Sequence, residues 1–375
     1  MKSRERLSRL FANREIDRVP IWLLFPYHPV QAYTDVYKNK YYKPILPYVE
    51  KYCETIDRRT YPASNFCFNG NPEVIHEIVR EEINGVSTEI RQIRYKKLCL
   101  RKYTETTASG KVLRYFVDDP LKLKEIAGIP YVFPVPDFSK IIGERDELGE
   151  NGLLAMSLWD PLGPLYNLAS AEDFAIWSLT DYDAMRDFLD VTYERSLAMY
   201  RACLEKNIGD IYWIVGAEFA GPPLVSPEKF NDFSVRYVKG IVDLVRSYGK
   251  YSVVHYHGNL FHILSGMKEI NPDGLHTIEA PPVGNCTIAQ ARAALGNMVL
   301  IGNIQYDELR SQSREGMDAL VKNAIEEAKD GRFILSPTAG PYEEVLTENQ
   351  VNNYIAFIEA GLKYGNRQAE PHGRI

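Results

Sequence analysis

The sequence predicts an α/β fold, a single (β/α)8 TIM barrel that carries one inserted antiparallel β-hairpin. Three observations lead there. The chain has 375 residues and is 45% hydrophobic, enough to bury a sizeable core in a domain of the length that α/β barrels reach with insertions. Short aliphatic and β-branched runs alternate with longer amphipathic stretches, the pattern of βα units around a parallel sheet. Each later run ends in small or turn-forming residues, which leaves the mouth of a barrel open.

In chain order, 21–25 and 55–59 are weaker candidates for the first two strands, and 153–158 is the third. The runs 211–217, 251–256, 275–278, 298–301 and 332–335 supply the fourth to the eighth. Helices between them carry recognisable ends. Ser226-Pro227-Glu228 puts Ser at an N-cap and Pro at the first helical position, and Gly249 ends a helix after Tyr248. The segment 87–117 breaks the alternation because Thr, Tyr, Ile and Arg recur there at period two. It reads as an antiparallel hairpin inserted after the second barrel unit, beside or over the mouth. The whole of 1–375 is read as one domain.

The net charge of -6 comes from acidic and basic residues mixed along the chain, so charge suggests neither a nucleic-acid surface nor an anionic membrane surface. Five scattered cysteines with no CxxC pair argue against a disulfide framework and a thiolate zinc cage. The N-terminus has a helical charge pattern rather than the apolar core of a signal peptide, and no run reaches the roughly 20 apolar residues of a membrane span. A cytoplasmic protein is expected.

In such a barrel, catalytic groups stand at the C-terminal ends of the strands. The fourth run is followed by Gly216-Ala217-Glu218, the fifth ends in His255-Tyr256-His257-Gly258, and the sixth in Glu279-Ala280-Pro281-Pro282. His255 and His257 are two apart on a predicted strand and share a face, and the neighbouring strand ends bring Glu218 and Glu279 alongside. Imidazoles flanked by carboxylates suit a zinc site with an open position, and equally a proton-handling pair without metal. Glu279 before its two prolines also reads as a loop carboxylate. Asn303 after the seventh run, and Asp160 after the third, read either as substrate-binding groups or as turn caps. Tyr27 and His28 after the first run, and Trp159 at the end of the third, are further candidates for lining a substrate pocket.

The succession Pro223-Leu224-Val225-Ser226-Pro227-Glu228, Val254-His255-Tyr256-His257-Gly258, Ile278-Glu279-Ala280-Pro281-Pro282, Ile301-Gly302-Asn303 and Ile334-Leu335-Ser336-Pro337 resembles the uroporphyrinogen decarboxylase superfamily. That superfamily also includes corrinoid-dependent methyltransferases. The likeness runs from Arg4-Glu5-Arg6 through Arg18-Val19-Pro20-Ile21-Trp22 to the last helix and is strongest from Gly216 onward. Two departures separate the branches. The name-giving decarboxylases carry arginines after the first strand that grip a polycarboxylate, and Trp22-Leu23-Leu24-Phe25-Pro26-Tyr27-His28 has none. The thiol-activating methyltransferases carry His-x-Cys-Gly on the fifth strand. Here His255 and Gly258 match, His257 stands where the cysteine would be, and Thr338-Ala339 occupies the place of a distant second cysteine.

The resemblance therefore implies a methyltransferase, or demethylase, acting on a small O-methyl or N-methyl compound. It implies zinc held by His257 and Glu279, with Glu218 or His255 completing the set, and a corrinoid carried on a partner protein. A homodimer is a further partner to test. The alternatives are a decarboxylase of a porphyrinogen or a smaller carboxylate substrate, and a non-catalytic ligand-binding barrel.

Overall fold

The computed structural model describes residues 1–63, 66–108, 110–328 and 331–367; Ser109, within the predicted hairpin, lies outside them. After β1 (Thr55–Thr60) the chain builds an antiparallel sheet from β2 (Ile75–Ile83), β3 (Val86–Tyr95), β4 (Leu98–Thr107) and β5 (Gly110–Arg114). It then returns to a parallel sheet through β6 (Gly152–Trp159), β7 (Ile211–Val215), β8 (Tyr251–His255), β9 (Gly274–His276), β10 (Val299–Ile304) and β11 (Phe333–Pro337). The parallel sheet has seven strands in the order β1-β6-β7-β8-β9-β10-β11, so sequence neighbours are spatial neighbours.

The fold is TIM-barrel-like: a curled parallel sheet with helices on its outside. The run predicted as a first strand is not an element of that sheet. It makes a parallel bridge from Ile21 to Leu335, with Trp22 N–H donating to Leu335 O at 2.9 Å and Glu54 N–H donating to Ile21 O at 2.7 Å. Residues 20–22 therefore hydrogen-bond both to β11 and to the start of β1. The predicted hairpin is also larger than expected. It begins at Ile75 and has four strands, because β2 adds to the pair across Ile78 and Arg91 and β5 adds to the far edge.

Two apolar layers follow from the period-two burial of the parallel strands. Outward residues such as Leu154, Ile214 and Val254 pack against the helices, including Tyr182–Glu205 and Arg236–Ser247. Inward residues Ile56, Leu153, Ile211, Val253, Val299 and Ile334 meet Leu7, Leu10 and Phe11 of the first helix, Ser3–Phe11. That helix fills the N-terminal end of the interior, and Arg4 anchors it by donating to Asp210 at 2.7 Å. Pro227 opens its helix after Ser226 and Gly249 follows the helix Arg236–Ser247 at φ +68°, as the sequence predicts. Among the described residues no helix is long and apolar enough to cross a membrane.

Candidate active site

The inward column of each strand changes chemistry on the way to its C-terminal end. Apolar fill reaches Trp22 and Trp213, which meet edge to face with centroids 5.7 Å apart. Beyond them the residues become polar. Two positions after Val253 in β8 comes His255, and its register partner in β9 is His276. Their rings stack at 4.9 Å, and the two Nδ1 atoms share a hydrogen bond of 2.7 Å. One ring must donate and the other accept, which ties the tautomers together. Burial, first, and the neighbouring cations, second, push both imidazoles well below the ordinary histidine range, so both are neutral near pH 7. On its other side His255 Nε2 faces Glu218 Oε1 at 4.0 Å.

His257 and Glu279 form the second pair. His257 Nδ1 lies 2.9 Å from Glu279 Oε1, while Gly258 N–H donates to Glu279 Oε2 at 2.7 Å. Both oxygens of this buried carboxylate are thus occupied, and the bond orients the imidazole so that Nε2 points away from it. Burial alone would lower His257, but the hydrogen bond and charge of Glu279 more than offset it and lift the imidazole above its usual value. The rings of His255 and His257 are 4.6 Å apart and nearly perpendicular.

Glu218 follows Gly216, whose φ of +127° turns the chain out of β7. Burial raises its carboxyl pKa, His257 lowers it in part, and Glu279 raises it again. Behind the turn lies Asp160. Its Oδ1 accepts from Leu162 N–H at 3.0 Å, its N–H donates to Val215 O, and Oδ2 has no partner among the described residues. Burial, then the charge of Glu218, raises its carboxyl pKa, and its backbone bond to Val215 O braces the turn.

The expected residues divide into groups. The structure brings Glu218, His255, His257 and Glu279 together. Asn303 stands half-buried near the end of β10, with no side-chain hydrogen bond among the described residues. Trp159 is 41% exposed and leans on Tyr166, which stacks on Phe219. Tyr27 and His28 lie apart. Their backbone N–H groups donate to Asp57, and His28 Nδ1 meets Asp57 Oδ2 at 2.8 Å. Asp57 belongs to the outward column of β1 with Arg59, which pairs with Glu144.

A cavity of about 680 Å³ opens to one side of the histidines, between the four-stranded sheet and the ends of β1, β6 and β7. The ionisable groups converge on the histidine side, and none of them lines the cavity, which begins at Val215, two places beyond the Trp213 ring that contacts His255. Sequence reasoning missed two residues of this region, His276 and Arg58. Both were visible as polar side chains in the inward column of a strand, Arg58 two positions from Ile56 and His276 opposite His255. Among the described residues no group of three or more His, Cys, Asp or Glu side chains is drawn close enough to hold a metal ion. The donor set still has a zinc-like chemistry of imidazole and carboxylate, with His255 Nε2 and Glu218 already facing each other.

The chain is 27% identical over 222 residues to the methylcobamide:CoM methyltransferase MtaA of Methanosarcina barkeri strain Fusaro, covering 59% of this chain and 61% of that one. It is 26% identical to a second MtaA of Methanosarcina barkeri over the same length. The chain thus spans about three fifths of the length of these curated relatives. A solved methyltransferase from Methanosarcina mazei shares the fold, with TM-score 0.63, 19% identity, and coverage of 97% of this chain and 99% of that chain. The family model for uroporphyrinogen decarboxylase matches residues 146–364, more than half of the sequence and all of β6 to β11. This chain belongs to the uroporphyrinogen decarboxylase family.

Proposed function

We propose that this chain is a methyltransferase working on the substrate side of a corrinoid-linked pair. It takes a small O-methyl or N-methyl compound at the mouth of the sheet and passes the methyl group to a corrinoid on a separate protein. The single observation that carries this reading is the cluster of two histidines and two carboxylates with no thiolate. Such a set favours an oxygen or nitrogen centre over a sulfur one. The likeness to proteins named as methyltransferases supports the same branch.

His255, His257 and Glu218 would hold a zinc ion. Bound zinc supplies Lewis acidity that draws electron density from the methylated heteroatom and improves it as a leaving group. Glu279 has a different part from the ligand role that the resemblance implies, because both its oxygens are already engaged. It fixes the His257 tautomer and keeps Nε2 free. His276 does the same for His255 through the shared Nδ1 bond, and Asp160 braces the turn that presents Glu218. The whole chain is proposed to act as one domain, with residues 20–24 closing the seven-stranded sheet into an eight-stranded barrel.

The test combines metal analysis with turnover. Purified protein should carry near-stoichiometric zinc. It should also demethylate at least one of a panel of methoxy and N-methyl compounds, with cob(I)alamin as acceptor, followed by the visible spectrum of methylcobalamin. Chelation should stop the reaction and added zinc restore it. Full turnover in zinc-free protein, or zinc-loaded protein that transfers no methyl group from any panel compound, refutes the proposal.

A further inference from the structure

Arg58 is a half-buried cation on the inner face of the sheet, with no anion to answer it among the described residues. Its neighbour Arg59 points outward and pairs with Asp57 and Glu144. Arg58 points inward, and among the described residues its guanidinium makes neither an ion pair nor a hydrogen bond. It leans instead on three aromatic faces, with its Cζ 5.3 Å from the Tyr33 ring, 5.5 Å from Trp213 and 5.9 Å from Trp22. Aromatic faces stabilise a cation only modestly, and charges drawn from water are normally paired. Burial lowers this guanidinium to about 10 and no carboxylate raises it. It stays charged at neutral pH.

Its position connects it to the reaction centre. The Trp213 ring that flanks Arg58 also lies 6.2 Å from His255 and 5.1 Å from His276. On β1 and β7 the residues two places beyond Arg58 and Trp213 are Thr60 and Val215, which line the cavity together with Ser157, Trp159, Phe66 and Phe116. Arg58 therefore stands where the histidine cluster and the aromatic cavity meet.

We propose that Arg58 is a substrate-binding residue that grips a carboxylate, and that the substrate is a small methylated compound with a flat or apolar body and one carboxylate group. The inference rests on reading the mouth as a methyl-transfer site and adds the class of molecule that enters it. A guanidinium presents two parallel N–H donors that match a carboxylate. A lone cation accounts for one such group, unlike the several arginines that a polycarboxylate needs. The flanking indoles hold the guanidinium in place before the ligand arrives, so little side-chain freedom is lost on binding.

Calorimetric titration with benzoate and benzamide tests the idea, because the two differ in charge and hardly in shape. Wild-type protein should bind benzoate at least about tenfold more tightly than benzamide, the scale expected of a charge-assisted bidentate pair. Arg58→Gln should erase that preference and leave benzamide binding unchanged, while Arg58→Lys should keep part of it. Thermal unfolding of both variants checks that they fold. His257→Ala should lose methyl transfer and keep benzoate binding, which separates failure of the carboxylate grip from failure of the methyl-transfer reading. Wild-type protein that does not prefer benzoate, including protein that binds neither compound, or a folded Arg58→Gln that keeps the preference, overturns the proposal.

Discussion

Replacing Glu279 by Gln changes one charge and almost no volume, and its effect turns on the two hydrogen bonds that the carboxylate accepts. The amide oxygen can still accept from Gly258 N–H, the partner of Oε2 at 2.7 Å. The amide nitrogen then faces His257 Nδ1, where Oε1 accepted at 2.9 Å. Two donors cannot share that contact, so the ring must take the other tautomer and place its proton on Nε2. The nitrogen that would hold zinc is then blocked. Loss of such an outer partner costs about 10–100-fold in metal affinity or activity, which is about 1.4–2.7 kcal/mol at 1.36 kcal/mol per decade. Folding should change little, since a carboxylate that is only 5% exposed gives up its burial penalty along with its bond. Competition with a chromophoric chelator measures zinc affinity, and thermal unfolding measures stability. Zinc affinity and turnover within about threefold of wild type, a fall well short of the expected range, would refute the account of Glu279 as the residue that sets the tautomer.

Other outcomes rest on single contacts. Gly216→Ala should destabilise the protein and weaken turnover together, because a Cβ there would sit 2.2 Å from Asp160 Oδ1 at a φ of +127°; thermal unfolding and steady-state rates check it. Phe11→Ala should cost about 3–5 kcal/mol in denaturant unfolding, since its buried ring stacks on Tyr251 at 5.1 Å beneath the strands. Asp17 accepts two bonds from Arg6, and these, against burial, hold its carboxyl well below the usual range. Its contribution is present above the ordinary carboxyl pKa and fades as pH falls below it, so the melting-temperature gap between wild type and Asp17→Asn should narrow from about pH 5 to about pH 2. The protein should not convert uroporphyrinogen to coproporphyrinogen, because the arginines expected after the first strand are missing; detectable product by chromatography would contradict this.

The parallel strands were legible because their inward and outward faces are both buried, which writes near-continuous apolar runs into the sequence. β6, β7, β8 and β11 sit where those runs stand, within a residue or two. The four-stranded sheet was half hidden for the opposite reason. β2 is exposed or half-exposed at all nine residues and β5 is exposed throughout, so neither carries a burial rhythm, while β3 and β4 do at Ile93 and Leu100. The segment 20–24 reads as a strand because Trp22 and Leu24 face inward, yet among the described residues its backbone joins the neighbouring strands only at residues 20–22.

The site shows the same rule at the level of single residues. His255, His257, Glu218 and Glu279 stood out in the sequence because they close or follow apolar runs, where a polar side chain has no packing reason to stand. His276 and Arg58 lie inside their runs, where neighbours such as Leu275 and Ile56 make the segment read as wall. A polar residue in the inward column is costly to fold unless something answers it. His276 is answered by His255, and through that bond it decides which nitrogen of His255 faces Glu218. Among the described residues Arg58 is answered only by aromatic rings. The sequence position of a buried polar group thus points to its place in the sheet, but its partners decide whether it supports the site or waits for a ligand. By that criterion His276 belongs to the frame of the histidine cluster and Arg58 to the substrate.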